Sequence, residues 1–268
     1  MMTALTVLLI LAVLWVLSVR GRRGHPGLEP LRGWVYAHRG LFGDGVPENS
    51  MAAFRRALEA GYGVELDVHL LADGSLAVIH DSLLVRTTGL EGRIEDLTEA
   101  QLGQCFLEGT EETIPTLEQV LELFAGKAPI ILELKSVRGN DAALCAGVCA
   151  ALDAHPGTYC LESFDPRSVY WLRKHRPDLV RGQLTENYFR SKTNLSFPLK
   201  CLLSAQMTNF LTLPDFVACR YSDRKTPANR LAWGLWKLQG VTWTLRCREE
   251  LEQAGKEALL PIFEGFAP

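Results

Sequence analysis

Two short apolar runs carry titratable side chains at every second residue. The run "VELDVHL" contains Glu65 and Asp67, and the run "ILELK" contains Glu133 and Lys135. Because side chains alternate between the two faces of a strand, the charged groups of each run share one face. Three carboxylates without a neighbouring cysteine are the hard oxygen ligands that select Mg²⁺ or Ca²⁺ over zinc. Each carboxylate alone is better explained by a salt bridge, for instance with Lys135, but together Glu65, Asp67 and Glu133 predict a metal site.

Two histidines stand at the ends of similar apolar runs. The motif "AHRG" contains His38 and Arg39, and the motif "IHD" contains His80. Histidine titrates near neutral pH, and the guanidinium of arginine is a planar donor to phosphate. Two histidines beside a metal ion are a suitable general acid and base for cleaving a phosphodiester. Singly, each histidine is more often a core or surface residue, so the proposed pair depends on the fold around it.

Short apolar runs alternate with helical patterns through most of the chain. The predicted strands are 34–37, 64–70, 76–79, 129–134, 159–163, 179–184, 215–219, 241–245 and 258–263. The predicted helices are 50–60, 116–125, 141–154, 166–175, 227–239 and 248–254. About eight strand and helix repeats predict a (β/α)8 TIM barrel of class α/β, with a doubly wound open sheet as the alternative. The Asp73-Gly74 turn also predicts a hairpin after the second strand.

In a barrel of parallel strands, the acidic runs would have no face in contact with water. Helices cover one face of each strand and the barrel interior covers the other, so neither face lies in water. Carboxylates on such strands must be paired with cations or bind a metal. Both acidic runs end at the C-terminal rim, where barrels of this type bind their substrates.

The first part of the chain has a different composition. Residues 3–19 carry no charge, and a helix of 17 residues would be about 25 Å long, close to the thickness of a bilayer core. Basic residues follow this run from Arg20 onward, whereas a signal peptide would begin with them. The pattern predicts a single-pass transmembrane helix with a cytoplasmic catalytic domain. The predicted division is 1–32, a membrane anchor and basic juxtamembrane linker, and 33–268, the barrel.

Composition limits the partners and the compartment. The formal net charge of -3 argues against nucleic acid as a partner, because phosphate backbones require a basic surface. Seven cysteines without CxxC spacing are expected to be reduced, which favours the cytosol. The sequence does not indicate an oligomeric state.

Several motifs together resemble the glycerophosphodiester phosphodiesterase family, and the apolar first segment suggests a membrane-anchored bacterial type of member. The motifs are "AHRG" at 37–40, "ENS" at 48–50, "VELDVHLLADGSLAVIHD" at 64–81, "LELK" at 132–135, "ESFD" at 162–165 and "VTWT" at 241–244. The resemblance spans nearly all of the chain after residue 32. It implies a TIM barrel that uses a divalent cation to hydrolyse glycerophosphodiesters to glycerol 3-phosphate and an alcohol.

The resemblance also implies a role for each matching residue. The implied roles are acid and base for His38 and His80, metal ligands for Glu65, Asp67 and Glu133, phosphate binding for Arg39 and Lys135, and the glycerol side of the pocket for Phe164 and Trp243. His69 matches no catalytic position and is expected to be a buried, hydrogen-bonded neighbour. The last strand, in "LLPIFEGFAP", lacks the Thr-Asp-x-Pro pattern of the family, but no catalytic group is missing.

Two alternatives remain at this point. A membrane-associated enzyme of the same family would cleave lysophospholipids or phospholipids, as a lysophospholipase D or a phospholipase C does. A protein of another class would bind glycerophosphodiesters at a membrane without turning them over. The complete set of histidines and carboxylates favours catalysis, because binding alone does not require an acid and base pair.

Overall fold

Eight parallel strands close into a barrel in the computed structural model, which describes residues 2–268; Met1 of the predicted N-terminal segment lies outside the described residues. The nine strands are β1 (Tyr36–His38), β2 (Gly63–Leu70), β3 (Leu76–Val78), β4 (Ile130–Leu134), β5 (Tyr159–Ser163), β6 (Val180–Thr185), β7 (Phe216–Arg220), β8 (Gln239–Leu245) and β9 (Leu260–Phe263). Strand β1 pairs in parallel with both β2 and β9, which closes the sheet. The predicted TIM barrel is therefore confirmed, and the open-sheet alternative is excluded.

Strand β3 stands outside the barrel as the return strand of a hairpin. It pairs antiparallel with the end of β2, where Val68 is opposite Val78. Gly74 in the connecting turn has a φ of 91°, a conformation that glycine adopts without steric cost. The hairpin predicted from Asp73-Gly74 is confirmed, and it carries His80 back towards the rim of the barrel.

The α-helices surround the barrel and fill the connections between its strands. They are α1 (Met2–Ser18), α2 (Met51–Glu59), α3 (Val85–Thr88), α4 (Glu99–Leu102), α5 (Leu117–Phe124), α6 (Asp141–Ala154), α7 (Pro166–His175), α8 (Phe197–Ser204), α9 (Asn209–Thr212), α10 (Pro227–Arg230) and α11 (Arg248–Lys256). Helices α6 and α7 have the predicted bounds. The predicted helix 227–239 is wrong beyond α10, because a π-helical turn follows and Gln239 already pairs with Phe216 in the sheet.

Outward-facing strand residues and the surrounding helices form the main core. Val64, Leu66 and Leu132 of the strands pack with Phe54 and Phe124 of helices α2 and α5. A second cluster fills the lower part of the barrel, where Leu28 and Leu31 of a short 3₁₀ helix cover the interior from below. The open end of the barrel is therefore the opposite one, at the carboxyl ends of the strands.

The prediction of a transmembrane anchor is wrong. Within residues 2–268, the structure contains no helix long and apolar enough to span a membrane. Helix α1 ends at Ser18, and its last turn packs against the barrel: Trp15 Nε1 donates a hydrogen bond to the carbonyl oxygen of Ala205 at 3.0 Å. Val19 is fully buried, in a cluster with Val217.

The basic residues after α1 also bind the barrel. Arg22 Nε and Nη2 donate to the two carboxylate oxygens of Asp215 at 2.5 and 2.6 Å, and Arg23 donates to the carbonyl oxygen of Trp236. The predicted basic juxtamembrane linker places these arginines beside the membrane on its cytoplasmic side. Because Arg22 and Arg23 bind other parts of the protein, they do not support the predicted orientation across a membrane. The prediction of a single-pass membrane localisation is therefore wrong as well.

Candidate active site

Three carboxylates from two neighbouring strands meet at the open end of the barrel. Glu65 and Asp67 lie on β2 and Glu133 lies on β4, where Asp67 is directly opposite Glu133 in the sheet. Their side chains each offer an oxygen atom, and these atoms all lie within 4.8 Å of one another. The three residues are 3%, 0% and 8% exposed. Strand alternation and barrel closure thus bring together the three acids that the sequence singled out.

Two cations border this acidic cluster. Lys135 Nζ lies 2.8 Å from both Asp67 Oδ1 and Glu133 Oε1. Arg39 Nε lies 3.5 Å from Asp67 Oδ2, and its Nη1 donates to both carboxylate oxygens of Glu48 at 3.0 Å. The salt bridge with Lys135, which was the alternative to a metal site, is therefore present. The single positive charge of Lys135 neutralises only part of the negative charge of the carboxylates.

The glycine of "AHRG" allows Arg39 to reach this position. Gly40 has a φ of 81°, and a β-carbon there would lie 2.8 Å from Cβ of Ala53. The backbone amide of Arg39 donates to the carbonyl oxygen of Glu65 at 2.8 Å. The turn after β1 is thereby held against β2, with Arg39 above the acidic cluster.

A fourth carboxylate, which the sequence reasoning missed, belongs to the same group. Glu162 on β5 is opposite Glu133 in the sheet and is almost fully buried. Its Oε2 atom has no hydrogen-bond partner among residues 2–268. The signal was available, because "YCLES" also alternates and places Glu162 on the inner face beside Glu133.

The charge of the group fits a divalent cation. Burial raises the pKa of Glu65 well above its usual range, and the neighbouring charges of Asp67 and Glu133 raise it further. Burial also acts to raise the pKa of Asp67, but Lys135, His80 and Arg39 together outweigh burial, so that the pKa falls well below its usual range. Four carboxylates, including Glu162, face the two cations Arg39 and Lys135, so that a divalent cation would balance their formal charge. Four oxygen donors with an unpartnered buried atom suit Mg²⁺ or Ca²⁺.

His38 is oriented by a carboxylate from the last strand. Its Nδ1 lies 2.6 Å from Oε2 of Glu264, which follows β9, and its Nε2 lies 3.9 Å from Glu65 Oε2. The hydrogen bond with His38 lowers the pKa of Glu264, so that this carboxylate is ionised and accepts from Nδ1. Nε2 is therefore the nitrogen that faces the acidic cluster. No sequence motif pointed to Glu264, because the last strand departs from the family pattern.

His80 has a similar arrangement from a different element. Its Nδ1 lies 2.7 Å from Asp81 Oδ1, and Asp81 in turn accepts a hydrogen bond from Arg86. Burial, helped by the charges of Lys135 and Arg39, lowers the pKa of His80 to about 4 despite the opposing charge of Asp67. The ring is therefore uncharged at neutral pH. Each histidine thus has a carboxylate at Nδ1, and within residues 2–268 its Nε2 makes no hydrogen bond.

His69 is a buried neighbour, as expected. Its Nε2 donates to the carbonyl oxygen of His80 at 3.2 Å, and its Nδ1 lies 2.9 Å from Glu95 Oε1. It therefore supports the backbone of His80 from below rather than facing the acidic cluster.

Two cavities adjoin the cluster. A polar cavity of about 330 Å³ is lined by residues that include His38, Arg39 and Trp243, and a larger cavity of about 700 Å³ has a chiefly apolar lining. His80, Glu133 and Phe164 line both. The rings of Phe164 and Trp243 meet edge to face, with centroids 5.9 Å apart. The structure thus brings all nine predicted site residues to one end of the barrel.

Comparison with known proteins agrees with this arrangement. The family model described as "Glycerophosphoryl diester phosphodiesterase family" matches residues 38–218. A glycerophosphodiester phosphodiesterase of Bacillus altitudinis is 44% identical over 108 residues, which cover 38% of this chain and only 44% of that protein. Glycerophosphodiester phosphodiesterase 1 of Rattus norvegicus is 28% identical over 247 residues, which cover 80% of this chain and 72% of that protein.

The fold is also that of a solved phosphodiesterase. A phosphodiesterase of Oleispira antarctica, in complex with its product sn-glycerol-3-phosphate, superposes with a TM-score of 0.70 at 24% identity, covering 91% of this chain and 95% of that one. At this identity the likeness establishes the fold. The family model matches more than half of the chain and confirms the resemblance seen in its motifs. The chain belongs to the glycerophosphoryl diester phosphodiesterase family.

Proposed function

We propose that this protein hydrolyses glycerophosphodiesters to glycerol 3-phosphate and an alcohol, with a divalent cation and two histidines. The observation that carries the proposal is the pair of carboxylate-bound histidines, His38 and His80, on either side of a buried acidic cluster. Family membership and the product of the Oleispira antarctica phosphodiesterase support this substrate class.

Glu65, Asp67 and Glu133 are the residues that would hold the cation, either Mg²⁺ or Ca²⁺. When bound, the ion would supply Lewis-acid stabilisation of the negative charge on the phosphate. Arg39 and Lys135 lie at the edge of the same cluster and would hold the phosphate oxygens. Arg39 is suited to this role because its guanidinium offers several donors in one plane.

The two histidines would move the protons. One Nε2 accepts the proton of the attacking oxygen, and the other donates a proton to the departing alcohol. Glu264 and Asp81 keep Nε2 of His38 and His80 directed at the site by accepting from each Nδ1. The attacking oxygen is the 2-hydroxyl of glycerol, which gives a cyclic phosphate that water then opens. Phe164 and Trp243 would pack against the carbon chain of the glycerol in the polar cavity.

The alternatives make different products. A phospholipase C type of cleavage breaks the bond between glycerol and phosphate, and it would release a phosphorylated alcohol. A binding protein would release no product. The pair of histidines beside the acidic cluster favours catalysis, because binding alone does not require an acid and base pair.

The test uses the purified full-length chain and glycerophosphocholine. We expect glycerol 3-phosphate and choline in the presence of Mg²⁺ or Ca²⁺, and loss of turnover with a chelator that either ion restores. Phosphocholine as the product would contradict the proposed bond cleavage. Turnover that is insensitive to the chelator would contradict the metal requirement. Binding of glycerophosphocholine without any product would contradict the proposal that the protein is an enzyme.

A further inference from the structure

The larger of the two cavities has a wall that a glycerol phosphate does not need. At one end of this 700 Å³ space lie His80, Glu133 and Lys135. Its far wall carries four leucines from the connection between β6 and β7: Leu195, Leu199, Leu202 and Leu203. The volume lies within the range of about 300–1,000 Å³ that is typical of sites for small organic ligands.

Several of the polar side chains along this cavity are already paired with one another. Arg167 Nη2 donates to Asp165 Oδ2 at 2.6 Å, and Ser136 Oγ shares a hydrogen bond with Ser168 Oγ. A ligand with many hydroxyl groups would therefore find fewer partners here than it has in water. Leu199 and Leu202 are 38% and 36% exposed, so an apolar ligand would gain by covering them.

The polar cavity offers the opposite surroundings. It is lined by charged or hydroxyl-bearing groups such as Glu48, Glu162 and Thr244, beside the ring of Trp243. Glycerol, with two free hydroxyl groups, fits these surroundings. A diester bound at the acidic cluster with its glycerol in the polar cavity has its second substituent next to the leucine-lined cavity, because both spaces adjoin the cluster at His80, Glu133 and Phe164.

We propose that the leucine-lined cavity is the subsite for the departing alcohol and that it selects glycerophosphodiesters whose alcohol carries a long apolar chain. This inference rests on the proposed function. In the overall reaction the bond between phosphorus and the oxygen of this alcohol breaks, the alcohol takes a proton, and water supplies the oxygen that completes glycerol 3-phosphate.

A chain-length series tests the subsite. The substrates are sn-glycero-3-phosphoalkanols with alcohols of two, four, six and eight carbons, used below their micelle concentrations with Mg²⁺ or Ca²⁺. We expect kcat/KM to rise with each methylene by up to about fourfold, until the cavity is filled. Equal kcat/KM values along the series would overturn the inference while leaving the proposed function intact.

Variants of the cavity wall give a second, independent readout. Leu199→Asn and Leu202→Asn should lower kcat/KM for the eight-carbon substrate about tenfold, mainly through KM, and leave the two-carbon substrate unchanged. Leu211→Asn is the matched control, since Leu211 is 47% exposed on helix α9 and does not line the cavity. Thermal unfolding verifies that all three variants are folded.

Three other outcomes would show whether the subsite, the alcohol assignment or the proposed function is wrong. Equal losses on the short and long substrates in Leu199→Asn and Leu202→Asn would overturn the subsite. A preference for octanoyl lysophosphatidylcholine over glycerophosphocholine, with no effect of alcohol length, would show that the chain enters with the glycerol and would overturn the alcohol assignment. No hydrolysis of any of these diesters, the two-carbon one included, would overturn the proposed function together with the subsite.

Discussion

The two sides of the active-site opening are built in different ways. On the polar side, charged groups from the barrel strands and from the connections beside them hold one another at fixed distances: Glu48, in the connection after β1, bridges Arg39 and Arg86, and Glu264, which follows β9, holds His38. On the apolar side, the wall comes from the connection after β6, and leucines such as Leu199 remain partly exposed. Groups that must be aligned to a fraction of an ångström lie on or next to the strands, whereas the wall that contacts only the outer part of a substrate lies on a connection.

The comparison predicts that changes on the polar side affect every substrate alike. His38→Ala and His80→Ala should each lower kcat about 10²-fold or more on short and long diesters, because each removes one proton transfer. The measurement is steady-state kinetics with glycerophosphocholine and an sn-glycero-3-phosphooctanol. His175→Ala is the control, since His175 is exposed and stacks on Trp171 away from the site.

Near-full activity in either histidine variant would remove that residue from the acid and base pair. A loss confined to the long substrate would instead show that His80, which lines both cavities, acts through the apolar side.

A smaller effect is expected from the carboxylate behind His38. Glu264→Gln keeps the shape of the side chain but removes the charged acceptor at Nδ1, so we expect kcat to fall about 10- to 100-fold, the effect of losing a hydrogen bond to a charged group. Glu264→Asp should recover part of the activity. Glu257→Gln, which removes an ion pair with Arg224, serves as the control outside the site.

If Glu264→Gln retains the wild-type kcat, the contact between Glu264 and His38 is only structural. The orientation of His38 would then have to come from its place on β1 alone.

The smallest effect concerns the support beneath the polar side. Burial acts to raise the pKa of Glu95, but its hydrogen bonds with His69 and Ser82 outweigh this and lower it to about 2. Because the folded-state pKa is below the unfolded one, the stabilisation is fully present above about pH 4.5 and is lost as the pH falls towards 2. We therefore expect Glu95→Gln to have a lower Tm than the wild type at pH 6, and this gap to narrow by pH 3.

Thermal unfolding of both proteins from pH 6 to pH 3 gives the measurement, with the exposed Glu91→Gln as the control. A constant difference in Tm across this range would show that the charge of Glu95 does not contribute to stability.

Regular repeats of the fold were predictable, and connections were not. Helix α6 (Asp141–Ala154) and strand β5 (Tyr159–Ser163) have the predicted bounds, because each combines an apolar pattern with clear ends. Helix α8 was missed because none of its residues is buried, and a helix without a buried face has no apolar periodicity to detect. The apolar cavity, to which Leu199 and Leu202 of this helix contribute, was therefore invisible in the sequence.

The N-terminal segment shows why composition alone misled. An uncharged run followed by arginines predicts a membrane span whenever nothing else is known of its surroundings. The partner of Arg22 is Asp215, which lies 193 residues away along the chain, and no local pattern announces such a contact. The tertiary structure shows that Arg22 binds Asp215 of the same protein, so this arginine no longer supports the prediction of a membrane anchor.

By itself, the sequence determined the barrel and the acidic face shared by Glu65, Asp67 and Glu133, because alternation along a strand is a local property of the backbone. Only the tertiary structure decided which carboxylate holds His38, since Glu264 reaches it when β9 pairs with β1 and closes the barrel. It also decided that Glu162 joins the cluster and that the site opens into two unlike cavities. These features arise from contacts between residues far apart in the chain, and such contacts form only when the sheet is complete.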